Sequence, residues 1–421
     1  MKSTIPERIR FILPGIAIML GSLCFMFAMW GMGNHPLGLY VVPITTEYGF
    51  SRASFSMVFS ILNLCNSVGC LAFGFIVGKL GVRRLMLSGS LLGALSYVLM
   101  ASANRLAMYY LASVAFGVAT AMVTNNPLSL IVNNWFAKNR GFLLGIIFAA
   151  SGLGGTVCDI LVGRVMNSYG FHRSLWVTAG IIAVLLLAGV ILVWQDTPSR
   201  IGRNPYWLEE NQKVRRQDTY GLSFEQARKT APFWLLLAME MLWGMAIIPV
   251  ISCIPAHLSD RGLDPLTVSG TIMPVLFVVS AISKFGMGVV YDRFGSYTMI
   301  ISLGITTTLG TLLLPLIHTK PLAIAMAVFI GGGYAVMTIP APLLVEEIFG
   351  NRAFAAIIGP ITAALSCAGA VGTPIANAIF DATGSYNIPF VLHTIMFAAA
   401  MVCGLLAVRL GRKKIQFERP C

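Results

Sequence analysis

Twelve continuous apolar stretches make up most of the chain. They cover residues 11–40, 57–77, 85–101, 106–132, 142–162, 175–194, 233–254, 268–290, 299–317, 322–345, 354–379 and 390–408. A helix needs roughly 20 apolar residues to cross hydrocarbon, whereas barrel strands alternate in polarity and are about half as long. The runs therefore predict an all-α membrane protein with twelve transmembrane helices. One long polar stretch, 195–230, divides them six and six. The expected organisation is an N-terminal six-helix bundle over 1–194, a cytoplasmic linker over 195–230, and a C-terminal six-helix bundle over 231–421 that ends in a short cytoplasmic tail. Within the linker, residues 205–217 read as amphipathic, and Ser223 with Gln226 reads as a capping box opening the next helix.

Composition agrees with burial in lipid. Hydrophobic residues are 57% of the chain and charged residues 11%, against about 25% charged in soluble domains. The net charge of +13 does not point to nucleic acid, because the basic residues lie between the apolar runs. With both ends inside, most of the 29 Lys and Arg fall in inner segments. That asymmetry predicts cytoplasmic termini and a multi-pass protein of the cytoplasmic (inner) membrane. All but the last of the eight cysteines lie in apolar runs, without metal-ligand spacing, so they read as small hydrophobes. No phosphate-cradling loop and no catalytic set of side chains is evident. The chain is expected to be no enzyme, to need no cofactor or metal, to bind no nucleic acid and to work as a monomer.

The halves repeat. Gly74-Phe-Ile-Val-Gly78-Lys79-Leu-Gly81 recurs in the second half as Gly288-Val-Val-Tyr-Asp292-Arg293-Phe-Gly295. Trp135-Phe-Ala-Lys-Asn-Arg140 is echoed at nearly the same offset by Ile348-Phe-Gly-Asn-Arg352. A duplicated six-helix unit suits a transporter whose halves rock about a central site.

The loop pattern G-x-x-x-D-R-x-G resembles that of the major facilitator superfamily. Its C-half copy is intact, while Gly78 replaces the usual Asp in the N-half copy. The resemblance implies two pseudo-symmetric bundles, with Asp292, Arg293 and Arg140 in gating roles at the loops. A narrower resemblance is to the monocarboxylate transporter and oxalate:formate antiporter group. It is carried by Trp135–Gly141 with Ser151-Gly-Leu-Gly154 and by Asp381-Ala-Thr-Gly384-Ser-Tyr. Members carry a buried basic residue in the eighth helix, which the alignment of motifs places at Lys284. Lys keeps the charge of the usual Arg but not its bidentate fork. Ser280 stands where monocarboxylate transporters have an Asp tied to proton coupling. Asn126-Pro127 matches an Asn-Pro of the fourth helix, and His35 lies near a first-helix position where some members carry Lys.

Lys284 either binds an anion or snorkels to the inner interface. Glu240, expected in the same half of the membrane, either pairs with Lys284 or titrates during coupling. Asp159 is expected in an ion pair at the rim, with Arg164 close by. His35 either titrates or caps a helix end in water. Trp30, Trp243, Tyr334 and Thr338 fall near mid-membrane, lining a cavity or packing a core. Together these readings predict alternating-access transport of a small organic anion, a mono- or dicarboxylate, coupled to protons or to a counter-anion. An exporter of drugs or metabolites with the same fold is the alternative, and a non-transporting membrane sensor a more distant one.

Overall fold

The computed structural model describes residues 7–193, 197–201, 205–206, 221–263 and 267–415. Among them the chain is helical, with two isolated bridges in place of any sheet. The first span is compound: α1 (Glu7–Met26), a π-helical stretch (Phe27–Asn34) and α2 (Leu37–Tyr48). Then follow α3 (Arg52–Leu80) and α4 (Val82–Ala101). The fourth span is α5 (Leu106–Val123) with α6 (Asn125–Trp135), and the fifth and sixth are α7 (Arg140–Tyr169) and α8 (Phe171–Leu192). The second half opens with a short α9 (Phe224–Ala227) and α10 (Ala231–Asp260). It continues through α11 (Met273–Leu313), α12 (Lys320–Gly333), α13 (Pro340–Phe349), α14 (Phe354–Thr383) and α15 (Asn387–Ile415).

Eleven helices among the described residues are long and apolar enough to cross a membrane. The 41-residue α11 contains two spans, divided at Gly295, where φ is 82° and ψ is 177°. Its N-half counterpart, Gly81, has φ 76° and ψ 159° and separates α3 from α4. Side chains are sterically excluded from this backbone region, so glycine lets two spans reverse direction within one residue. Counting α11 as two gives the twelve expected spans.

The long helices turn an apolar face outward. Leu91 is 64% exposed, Val184 66%, Ile282 63% and Ile395 61%. Surfaces of this extent are stable in lipid, not in water. The capping box holds: Ser223 Oγ accepts from Gln226 N at 3.3 Å, and Gln226 Oε1 from Ser223 N at 2.8 Å. The amphipathic reading of 205–217 falls mostly outside the described residues. Tyr206, at its start, donates its N–H to the Trp135 carbonyl at 2.8 Å and accepts from Ala137 N at 3.0 Å. The Asp159 side chain lies outside the described residues.

The two bundles meet along two seams. On one, α7 packs against the first arm of α11; on the other, α3 packs against α14. The hydrogen bonds and close glycine contacts that cross between bundles lie in the half of each seam nearest the basic loops, hereafter the basic face. A Cβ at Gly145 would sit 2.8 Å from the Lys284 carbonyl oxygen, and one at Gly74 would sit 2.6 Å from Ala356 Cα. Small residues admit such close backbone approach between membrane helices.

Candidate functional site

Three helix breaks build the site. In the first span, His35 N–H bonds to the Trp30 carbonyl at 3.2 Å, five residues back. That π turn inserts a residue into the helical register and brings Trp30 and His35 to the same cavity; such turns recur at functional sites. The fourth span breaks at Thr124 (φ −108°, ψ −123°), with Pro127 in the first turn of α6. The tenth breaks at a 3₁₀ turn, Tyr334–Met337, followed by Thr338 (φ −140°, ψ −36°) and Pro340. Thr124 and Thr338 are related by the same repeat offset as Gly81 and Gly295. Interrupted spans at matching positions of two repeats mark the central site of repeat-built transporters.

Between the breaks lies a cavity lined by side chains of both bundles. Lys284, Asn126, His35, Tyr334, Thr338 and Glu240 all line it, as do Trp30, Asn63, Asn66 and Asn125. Trp243 does not. It lies nearly one turn beyond Glu240, is fully buried, and leaves its indole N–H unpartnered.

Lys284 is 2% exposed. Its ammonium donates to Ser151 Oγ at 2.8 Å and stands 5.1 Å from the centre of the Tyr334 ring, within cation–π range. The Ser151 hydroxyl hydrogen goes to the Phe148 carbonyl at 2.7 Å, so its oxygen is free to accept. An ammonium carries three donors, and Ser151 takes one. The interface-snorkelling alternative is not what the structure shows, since the side chain faces the cavity. The alternative of a pair with Glu240 is not formed either: among the described residues Lys284 makes no ion pair, and Glu240 Oε1 is buried without a hydrogen bond. The two sit on different walls, Lys284 against α7 and Glu240 on α10, which packs along α14. His35 is half-buried and packs edge-on to Phe277 at 5.1 Å, so it is not a water-facing helix end.

The opposite wall is rich in amides. Asn126 Nδ2 donates to Thr362 Oγ1 at 3.0 Å, and Asn66 Nδ2 to Ser366 Oγ at 3.2 Å, so both bonds cross between bundles. Trp30 Nε1 donates to Thr124 Oγ1 at 3.3 Å. Two of the amides thus make interhelical bonds. Sequence reasoning missed Thr362 and Ser366, which sit unmarked in an apolar run.

The gating candidates gather at the basic face. Asp292 accepts Gly141 N–H at 3.1 Å and Phe142 N–H at 2.7 Å. A carboxylate of the second bundle thus caps the positive end of a first-bundle helix. Arg140 pairs with Glu346 across the same junction and donates to the Phe136 carbonyl at 2.6 Å. Arg293 is exposed and bonds to no described residue.

Comparison with known proteins agrees with this architecture. A model of the Major Facilitator Superfamily matches residues 18–359. "MFS-type transporter 1" of Ophiocordyceps sp. (strain BCC 1869) is 24% identical over 86% of this chain and 78% of its own length. Monocarboxylate transporter 12 of Mus musculus is 20% identical over 91% of this chain and 84% of its own. Among solved structures, that of the transporter FucP in the outward conformation superposes with a TM-score of 0.68 at 13% identity, covering 93% of this chain and 98% of FucP. The chain is a multi-pass membrane protein, and it belongs to the Major Facilitator Superfamily of transporters.

Proposed function

We propose that this transporter moves a small organic anion, a mono- or dicarboxylate, by alternating access, coupled to a proton or to a counter-anion. The observation that carries the reading is Lys284. It is a cation 2% exposed, in a membrane-embedded cavity, with one neutral hydroxyl partner and no carboxylate. Burying a charge in a membrane costs about 3 kcal/mol or more, and an anionic ligand offsets that cost. Asn126, His35, Tyr334 and Thr338 would shape the pocket; Glu240 is the candidate for proton coupling. Trp243 would act from behind, by packing. The resemblance to monocarboxylate transporters supports the same ligand class. The distribution of Lys and Arg supports a cytoplasmic side for both termini and the basic face. The exporter alternative shares the fold, but a cationic drug would meet Lys284 in the cavity.

The test is uptake of labelled carboxylates into proteoliposomes at matched protein incorporation. Lys284→Ala should lower uptake at least about thirtyfold, as truncating one partner of a buried charge pair does. Lys284→Arg should retain part of it, and Lys284→Gln should fail, because it keeps polarity without charge. Wild-type rates in Lys284→Ala would sink the anion assignment.

A further inference from the structure

The cavity is divided in polarity. Its cationic end stands at one seam, where Lys284 of α11 donates to Ser151 of α7 at 2.8 Å. Toward the other seam the wall is built of acceptors, and Asn126 is the informative one. Its amide nitrogen donates to Thr362 Oγ1 at 3.0 Å. The Thr362 hydroxyl donates in turn to the carbonyl of Ile358 at 3.0 Å or of Gly359 at 3.2 Å. With that hydrogen on a carbonyl, the hydroxyl accepts from Asn126. The amide then lies with Oδ1 turned away from Thr362. That oxygen is buried, belongs to a residue 1% exposed, and has no hydrogen-bond partner.

Two more acceptors share this condition. Asn125 Oδ1 and Glu240 Oε1 are buried without a donor, and both residues line the same cavity. Three side-chain donors of this wall are spent elsewhere, while the Thr338 hydroxyl, which also lines the cavity, is buried without a partner. The Asn66 amide serves Ser366, the Asn63 amide serves the Phe59 carbonyl at 2.9 Å, and the Trp30 indole serves Thr124. Buried acceptors are rarely left unmet in native proteins, and here three belong to residues that line one cavity.

We infer that the ligand of this site carries hydrogen-bond donors remote from its carboxylate, as a hydroxylated or aminated organic acid does, and that plain alkyl carboxylates are discriminated against. The carboxylate half of this statement rests on the reading of Lys284 above. The donor half rests on Asn126, Asn125 and Glu240. Discrimination follows because a ligand without donors would seal the three acceptors from water and leave them unpaired, the situation in which sites built for hydroxyl or amino groups reject analogues that lack them.

The experiment measures binding to the purified full-length protein, by calorimetry and thermal unfolding, of four six-carbon probes: hexanoate, gluconate, 6-aminohexanoate and the neutral polyol sorbitol. Gluconate or 6-aminohexanoate should bind at least about tenfold more tightly than hexanoate, and Asn126→Leu should erase that preference. Asn126→Asp keeps an acceptor and checks the result where Asn126→Leu folds poorly. Glu240→Gln separates the donor types: it should remove a preference for the amine, which needs the charge, and leave one for the hydroxyls. Equal affinity for hexanoate would show that water meets the acceptors and would overturn the inference. Tight sorbitol binding unaffected by Lys284→Gln would overturn the carboxylate reading while leaving the donor reading intact. Failure of all four at millimolar concentration overturns both.

Discussion

Lys284 and Glu240 show how far a single residue type speaks for itself. A lysine and a glutamate predicted in the same half of a membrane invite an ion pair, because each buried charge needs a partner. The structure gives Lys284 to Ser151 instead and leaves Glu240 Oε1 alone on another wall of the cavity. A double-mutant cycle between Lys284→Gln and Glu240→Gln should therefore show a coupling energy in protein stability under about 0.5 kcal/mol, the level of additivity for independent sites. A coupling of about 1 kcal/mol or more, by the same reasoning, would restore the pair. Helical spacing gave the depth of both residues in the membrane and so their shared cavity. It could not give their separation across it, because that depends on which helices pack together. Trp243 failed as a cavity residue for a related reason. Lying nearly one turn beyond Glu240 on α10, it turns into the core instead.

At the scale of helices, the hydrophobic pattern found the spans and missed their interruptions. The stretches 106–132 and 322–345 read as unbroken because Thr124 and Tyr334–Met337 do not lower the mean hydropathy enough to end a run. Hydropathy reports the cost of leaving water, and backbone geometry is silent in it. The signal was nonetheless present: Pro127 and Pro340 stand at nearly matching places in paired spans of a duplicated chain. The basic-face junction was partly legible through the intact loop motif at Asp292. What the motif did not reveal was the partner, the first turn of α7. A charge at a helix N-terminus is worth about 0.3–1 kcal/mol, and up to about 2 kcal/mol in partly buried geometry. Asp292→Asn keeps an acceptor and loses the charge. It should shift a pair of spin labels at Arg84 and Arg352 toward longer separations, raising the long-distance population about two- to fivefold. An unchanged distance distribution would mean that the other contacts, the Arg140–Glu346 pair and the seam glycines among them, hold the basic face shut.

For the molecule as a whole, the repeat does the organising. Gly81 and Gly295 adopt nearly the same backbone conformation, and Thr124 and Thr338 break matched spans. By the same offset, Lys284 occupies in the second half the place that Cys70 has in the first. Both Cys70 and Lys284 line the cavity. The two halves thus present corresponding positions to one space, one neutral and one cationic. Duplication supplied a symmetric cradle, and divergence at single positions supplied the chemistry. Orientation follows from the same repeat. The Gly81 and Gly295 turns, the Arg140 junction and Arg352 all lie on one face, so those loops must share a side of the membrane if α11 is two spans. Single cysteines at Arg84 and Arg352, in a background without native thiols, should react with an impermeant maleimide from the same side, and a cysteine at Lys320 from the opposite one. Lys320 opens α12, the next long helix after the second arm of α11. Its side therefore decides whether that second arm crosses the bilayer. Labelling of all three positions from one side would leave that arm on the surface and remove the twelve-span arrangement, while opposite labelling of Lys320 makes that arm a span of its own.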